Sequence, residues 1–514
     1  MPPDPIAPEK RDSGLDTAPR LRVAPVNEKP VRTDGDYVLY WMIAARRTRW
    51  NFALQHAAAK SAELGKPLLV LEALRAGYPW ASARLHRWVL DGMADNARRL
   101  ARAKVTYFPY VEPEPDAGRG LLESLSAHAC LVVTDEFPCF FLPRMVTAAA
   151  ERLGVAMETV DSNGILPLRA TSREYPTAYA FRRFLQKTLP DHLLDTPAED
   201  PLADLGDGAA AKIPEDVRER WAKASPELLS GKDASLLARL SIDSSVPPVE
   251  ARGGPRAGEA ALQRFVGGDL GRYGEGHNHP DDDASSGLSP YLHFGHLSAA
   301  EAVHAVLRHE DWSPSALGED RRGSRTGWWG TGESAESFLD ELVTWRELGY
   351  VFCFHRPDDY HRWESLPDWA RATMEEHAGD AREHVYSRDQ FAESRTHDPL
   401  WNAAQRQLVR EGRIHNYLRM LWGKKILEWS AHPRDALEVL IDLNNRYAVD
   451  GRNPNSYSGI FWVLGRFDRA WGPERPIFGK IRYMTSKNTA RKVRLTEYLR
   501  RFGGADSPRG ELAL

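Results

Sequence analysis

Residues 37–74 read YVLYWMIAARRTRWNFALQHAAAKSAELGKPLLVLEAL, and this stretch decides the fold class of the first half of the chain. YVLYWM is a short apolar run without polar interruption, the pattern of a strand buried on both faces. From about Trp50 to Leu64 apolar side chains recur at helical spacing, and PLLVLEA then returns to a strand. The same alternation continues outward with a helix near Ala83–Ala103, VTYFPYV, a helix around Leu121–His128, ACLVVTD, a helix near Pro143–Leu153 and VAMETV. Strands separated by amphipathic helices make a parallel sheet covered on both faces, so residues 36–161 are expected to form a doubly wound α/β domain of about five strands. No GxGxxG or GxxxxGK[ST] follows the first strand, so a phosphate-cradling loop of the usual kinds is not offered there.

The flanks read differently. Residues 1–35 are rich in Pro, charge and small polar residues without apolar periodicity, and are expected to be a disordered arm. Residues 162–255 are Pro-, Asp- and Ala-rich with a few helical pieces such as Tyr179–Leu189, which suggests an extended inter-domain linker. From 256 to 505 helical spacing dominates and strand-like alternation is nearly absent, giving an all-α domain, with 506–514 a flexible tail. Within it GEDRRGSRTGWWGTGES is a Gly/Ser/Arg-rich exposed loop whose Trp328 and Trp329 either tuck against the surface or anchor a partner, the first being favoured.

A chain of 514 residues exceeds what one hydrophobic core organises, and 42% hydrophobic with 27% charged residues is a globular composition. No apolar run reaches membrane-spanning length and the N-terminus lacks a secretory core, so the cytoplasm is the expected location and no membrane partner is expected. Three scattered cysteines, Cys130, Cys139 and Cys353, exclude thiolate metal chemistry and a disulfide framework, and no metal is expected. The net charge of −4 argues against a uniformly basic nucleic-acid coat, yet residues 466–501 hold eleven Lys/Arg against three Asp/Glu, a credible phosphate-facing surface. Eleven of the sixteen tryptophans lie after residue 300, which fits either aromatic packing or redox and base-stacking work.

The most informative stretch is THDPLWNAAQRQLVREGRIHNYLRMLWGKKILEW, residues 396–429. Trp422 and Trp429 are seven apart, two helical turns, which puts both indoles on one face about 10.5 Å apart along the axis. With Trp401 on the preceding helix they offer a conduit for electron hopping, or merely bulky packing. Arg419 in the same helix requires an anionic partner if buried.

SGLSPYLHFGHLS (286–298), FLDELVTWREL (338–348), THDPLWNAAQ (396–405), IHNYLRM (414–420), LNNRYAVDGRNPNSY (443–457) and RPIFGKIRYM (475–484) together resemble the class II cyclobutane pyrimidine dimer DNA photolyases, of the photolyase/cryptochrome family. YVLYWM and WNFAL are likewise similar to the start of that family's Rossmann-like antenna domain. The resemblance implies an FAD, active as FADH⁻, held in the helical domain. It further implies a damaged DNA partner whose pyrimidine dimer is flipped out beside the flavin, and a light-driven lyase reaction that splits the dimer by electron transfer. The resemblance leaves the presence and identity of a second antenna chromophore open, a deazaflavin type being the family's suggestion, and implies a monomeric state and no obligate protein partner.

Residue by residue, the resemblance gives Tyr273, Ser286, Gly287, Leu288, Ser289, Phe338, Asn416, Arg419, Asn444, Asp450 and Gly451 to the flavin. Ser286–Ser289 match the phosphate-contacting segment, although an ordinary helix start at Ser289–Pro290 fits the same residues. Arg419 and Asp450 match the pair across the isoalloxazine, where a cation favours the anionic reduced ring, and Asn444 matches the residue facing N5. Helix capping by Asn444 and a turn at Asp450–Gly451 are the plain alternatives. Glu341, Trp345, Tyr417, Met420 and Trp462 match lesion contacts, with Glu341 the carboxyl that donates to the dimer. Trp422, Trp401 and Trp429, in that order from the flavin outward, match the photoreduction tryptophans. Arg469, Trp471 and Arg482 match residues pushed into the bubble left by the flipped dimer.

The chain departs from the family pattern at His277–Asn278, where many members carry Arg–Asn, and at Phe467, where a histidine is usual. The regions 161–190 and around Trp328 also diverge. A (6-4) photolyase places two histidines where Asn416 and Met420 stand here, and fits poorly. A cryptochrome-like light receptor would keep the flavin and tryptophans but lose repair.

Overall fold

A computed structural model describes residues 17–103, 105–205 and 209–504. Its strands are β1 Val23–Pro25, β2 Tyr37–Met42, β3 Leu68–Leu74, β4 Thr106–Val111, β5 Ala129–Asp135 and β6 Met157–Val160, in the sheet order β1-β6-β5-β2-β3-β4. Strands β2 to β6 pair in parallel, as the alternation of strands and helices requires. All six residues of central β2 are buried. Successive side chains point to opposite faces: Tyr37, Leu39 and Trp41 join one core with the helix Leu142–Arg152, while Val38, Tyr40 and Met42 join another with the helix Phe52–Leu64. The latter helix starts two residues after Trp50 because the Asn51 side chain accepts the Leu54 N–H at 3.1 Å, an N-cap.

Where β2 meets β5 the strand order reverses, the position at which doubly wound sheets bind ligands. Here Asp135 fills the backbone nest after β2. Its Oδ2 accepts the N–H groups of Ile43, Ala44 and Ala45 at 2.8, 2.7 and 3.0 Å, and Oδ1 accepts the Tyr40 hydroxyl at 2.7 Å. An internal carboxylate thus takes up the N–H groups that follow β2 at this edge.

Two expectations are corrected. The arm is not without fold: residues 1–16 lie outside the described residues, but Arg20–Arg22 forms a turn and β1 pairs antiparallel with β6, making six strands rather than five. The anchor is polar and therefore invisible to apolar periodicity. Buried Arg22 donates to the carbonyls of Asp161 and Ile165 at 3.2 and 2.6 Å and lies over the Phe52 ring. The linker 162–255 is not extended either. Ala211, Val217 and Trp221 are buried in the sheet core, and the Trp221 indole donates to the Ala117 carbonyl at 3.0 Å.

By compactness the chain divides into an α/β unit, Met1–Ser172, Lys187–Gln263 and Leu288–Leu317, and a helical unit, Arg173–Gln186, Arg264–Gly287 and Gly318–Leu514. The expected start of an all-α domain at 256 thus differs from the structure, because Leu288–Leu317 packs with the α/β unit although it is helical. The expected tail 506–514 lies outside the described residues. No strand follows Val160 among the described residues, and none of their helices is long and apolar enough to cross a membrane.

Asp135→Asn, which removes the charge that three N–H groups share, is expected to destabilise the protein by about 1.5–3 kcal/mol, read as a lower urea midpoint in chemical unfolding.

Candidate functional site

Helix Asn416–Trp429 carries most of the candidate residues in the helical unit. It packs closely on helix Pro454–Val463: a Cβ at Gly423 would lie 2.6 Å from Val463 Cγ2. Helix Arg346–His355 approaches the same Pro454–Val463 helix through Gly349, where a Cβ would lie 2.9 Å from Ser458 Oγ. Three helices bearing Tyr417, Arg419 and Met420, Trp462, and Trp345 with Glu341 just before it are thereby brought into one body. Glu341, Trp345, Tyr417, Arg419, Met420 and Trp462 are each only half-buried and Asn416 is exposed, whereas Leu418, Leu421 and Trp422 beside them are sealed.

Glu341 and Trp345 stand in a π-helical segment, Asp340–Trp345, that lies between the α-helices Glu333–Leu339 and Arg346–His355. Wider i→i+5 turns of this kind are frequent at functional sites. Burial first, then the neighbouring charge of Asp340, pushes the Glu341 carboxyl up to about 7 against the pull of Arg325 and Arg182. Among the described residues the Glu341 carboxyl has no hydrogen-bond partner. Tyr273 and Phe338 are brought together edge to face at 5.5 Å, with Phe265, not anticipated from the sequence, 5.7 and 4.6 Å from them. Burial and then the nearby Glu341 charge raise the Tyr273 phenol.

Arg419 finds its partner: its guanidinium lies 3.4 Å from Asp450 Oδ1. Asn444 does not cap a helix. It is buried inside helix Pro433–Tyr447 and donates to Asn445 Oδ1 at 3.3 Å. Asp450 and Gly451 do form a turn, whose closeness to the helix end requires glycine, since a Cβ at Gly451 would lie 2.7 Å from the Asn444 carbonyl oxygen.

The three tryptophans are buried and linked. The Trp401 indole donates to the Trp422 carbonyl at 3.0 Å, and its ring meets that of Trp429 edge-on at 6.1 Å. The Trp422 indole donates to Gln405 Oε1 at 2.9 Å. Half-buried Tyr386 and exposed His397 contact the Trp429 ring at 5.8 and 4.9 Å, and the Tyr386 hydroxyl bonds His397 Nδ1 at 2.8 Å. Neither was singled out from sequence, because they reach Trp429 from a loop.

The basic candidates also assemble. The guanidinium groups of Arg469 and Arg482 lie 4.6 and 4.8 Å from the Trp471 ring, and Arg482 also lies 5.7 Å from the Trp462 ring. Beneath Trp462, fully buried Lys424 sits 5.0 Å from the ring and donates to the Val463 carbonyl at 2.5 Å. Burial brings this lysine down to about 7, and nothing in the apolar pattern distinguished it. Phe467, the departure from histidine, is buried edge-on against Phe352 at 5.5 Å, a packing role. His277 stacks on Tyr273 at 4.5 Å. Trp328 and Trp329 are buried, not exposed anchors: the Glu336 carboxylate accepts N–H groups from Gly327, Trp328 and Trp329 at 2.6, 2.8 and 3.0 Å.

A buried group without a partner bears on cofactor binding. His415, immediately before Asn416, is buried with neither ring nitrogen hydrogen-bonded among the described residues, and burial lowers it to about 4, so it is neutral. Buried polar atoms are almost always satisfied, so this imidazole fits a site that a polar ligand completes. In the same unit Gly287 adopts φ +66° with open space above it. Leu288 and Ser289 belong to the α/β unit, and Ser289 begins a helix of only five residues with Leu288, not Ser289, at its cap.

A family model described as DNA photolyase matches residues 38–202. The deoxyribodipyrimidine photo-lyase of Methanothermobacter thermautotrophicus is 34% identical, over 94% of this chain and 98% of its own length. That of Oryza sativa subsp. japonica is 33% identical over 97% and 94%. In fold the chain is similar to a bacterial class III photolyase from Agrobacterium tumefaciens, with a TM-score of 0.61 and 20% identity, covering 96% of this chain and 88% of that one. A likeness that runs the full length of such relatives, through both the sheet and the helices, places this chain in the DNA photolyase family.

Proposed function

We propose that this protein repairs cyclobutane pyrimidine dimers in DNA under light, in the manner of the class II enzymes it resembles, using a reduced flavin held in the helical unit. The observation that carries the reading is that Glu341, Trp345, Met420 and Trp462 are all incompletely buried within the helical unit, which also holds the Arg419–Asp450 pair. The flavin would supply the light-driven one-electron donation that opens the cyclobutane ring. Arg419, Asp450, Asn444, Asn416, Tyr273, Phe338, Gly451, Ser286 and Gly287 would hold it, with His415 completing its polar contacts. Arg419 supplies the cation that favours a negatively charged ring, and Asn444 offers an amide able to donate or accept.

Trp345 and Trp462 stack on the everted bases and Tyr417 and Met420 fill the remaining contact, which offsets the unpairing of an already distorted site. Glu341, protonated below about 7, donates a hydrogen bond to the dimer carbonyl as negative charge builds there. Arg469, Trp471 and Arg482 occupy the opened duplex, with the basic 466–501 segment on phosphates. Trp422, Trp401 and Trp429 carry electrons inward when the flavin is oxidised and take no part in splitting the dimer.

The deciding experiment incubates reduced protein with dimer-containing DNA in light and in darkness. Repair only in light is expected. Binding without repair would instead indicate a light receptor. Glu341→Ala is expected to slow repair about 10- to 100-fold, the value of a hydrogen bond to a charged acceptor. Because the protonated form is the donor, the wild-type rate should fall as pH rises through about 7, and Glu341→Gln should abolish that limb. Trp401→Phe is expected to abolish photoreduction of oxidised flavin, followed by absorbance, while chemically reduced protein repairs normally.

A further inference from the structure

Within the helical unit, residues 173–186 and the Trp328 loop, both from regions that depart from the family pattern, hold each other and meet beside Glu341. Gln186 Nε2 donates to the Ser324 carbonyl at 2.9 Å, and its Oε1 accepts the Gly323 N–H at 2.6 Å. Gly323 has φ +93°, and a Cβ there would lie 2.5 Å from Arg183 Cγ, so the loop closes tightly on the helix Ala178–Thr188. One turn before Gln186, the Arg182 fork grips Asp340 with two bonds of 2.8 and 2.9 Å, both side chains being buried. Exposed Arg325, from the loop, stands 3.9 Å from the same carboxylate. Asp340 opens the π-helical segment and immediately precedes Glu341.

We propose that Arg182 and Asp340 are positioning residues for repair: the bidentate fork pins the start of the π-helical segment, so that Glu341 is presented to the dimer in one orientation with a fixed negative charge beside it. This rests on Glu341 being the dimer donor. The charged and titratable groups acting on Glu341 are Asp340, Arg325 and Arg182, with the Tyr273 phenol nearby. Asp340 favours the protonated carboxyl, and the two arginines oppose it. A bidentate guanidinium restrains direction as well as charge, which an ammonium cannot do. A purely structural tie between two segments would hold the fold together without affecting the Glu341 proton.

The test reads Glu341 directly, as its carboxylic-acid infrared band titrated in the dark without DNA, assigned by its loss in Glu341→Gln, alongside repair rates across pH in the light. Asp340→Asn removes the negative charge and leaves two cations. It is expected to lower the Glu341 midpoint by about one pH unit, with repair reduced several-fold at neutral pH and recovering at lower pH. Arg182→Lys keeps the charge and loses the fork. It is expected to leave the midpoint in place while slowing repair about three- to tenfold at every pH, with dimer affinity little changed. Should Asp340→Asn disturb folding, Arg182→Lys still decides the matter. An unmoved midpoint in folded Asp340→Asn, or wild-type repair by Arg182→Lys, overturns the proposal while the slow repair of Glu341→Ala leaves the donor role standing. Wild-type repair by Glu341→Ala overturns both.

Discussion

Everything proposed for the helical unit depends on helices that approach closely at glycines. Gly423 rests against Val463 and Gly349 against Ser458, each too close for a Cβ, so three helices form one rigid support. Such packing leaves little freedom for the side chains at its margin. Glu341, Trp345, Met420 and Trp462 lie there, half-buried, which suits groups that must meet a base rather than fill a core. A rigid frame under a partly open set of aromatic and carboxyl groups is what recognition of an everted base needs, since orientation is then settled before the substrate arrives.

Electrostatics separate the residues that support from those that act. Asp135 and Glu336 are each neutralised by three backbone N–H groups, and Asp340 by a guanidinium fork. These carboxylates are fully engaged and hold loops in place. The Glu341 carboxyl has no such engagement among the described residues and lies next to a like charge, so its proton is retained. His415 contrasts with them in the same way among the imidazoles. An imidazole buried with both nitrogens unmet marks a place where a polar ligand is expected.

Much of the fold was legible. Continuous apolar runs such as YVLYWM and ACLVVTD are strands buried on both faces, and parallel pairing follows from the helices between them. The arm and the linker were misread for a common reason: Arg22 and the indole of Trp221 anchor by hydrogen bonds to distant carbonyls, which leave no periodic trace. In the candidate site, Trp401, Trp422, Trp429, Arg419 and Asp450 could be singled out because helical spacing and a recognisable set of motifs named them. Phe265, Lys424, Tyr386 and His397 could not, since each acquires its meaning only from a neighbour remote in sequence, nor could His415, which stands out only because burial leaves both its nitrogens without a partner.

The sequence by itself determined the alternating α/β half, the helical half, the membership of six motifs in one family pattern and the identity of the residues to examine. These are local properties: side-chain periodicity and short-range spacing act within a segment. Only the tertiary structure decided that Asp340–Trp345 is a π-helical turn, that Arg182 reaches Asp340, that Trp328 and Trp329 are buried over Glu336, and that the Trp401 ring meets Trp429. Each of these is a contact between separate segments of the chain, a loop closed on its neighbouring helix or a helix geometry imposed by its surroundings, and such features exist only once packing has chosen which surfaces touch.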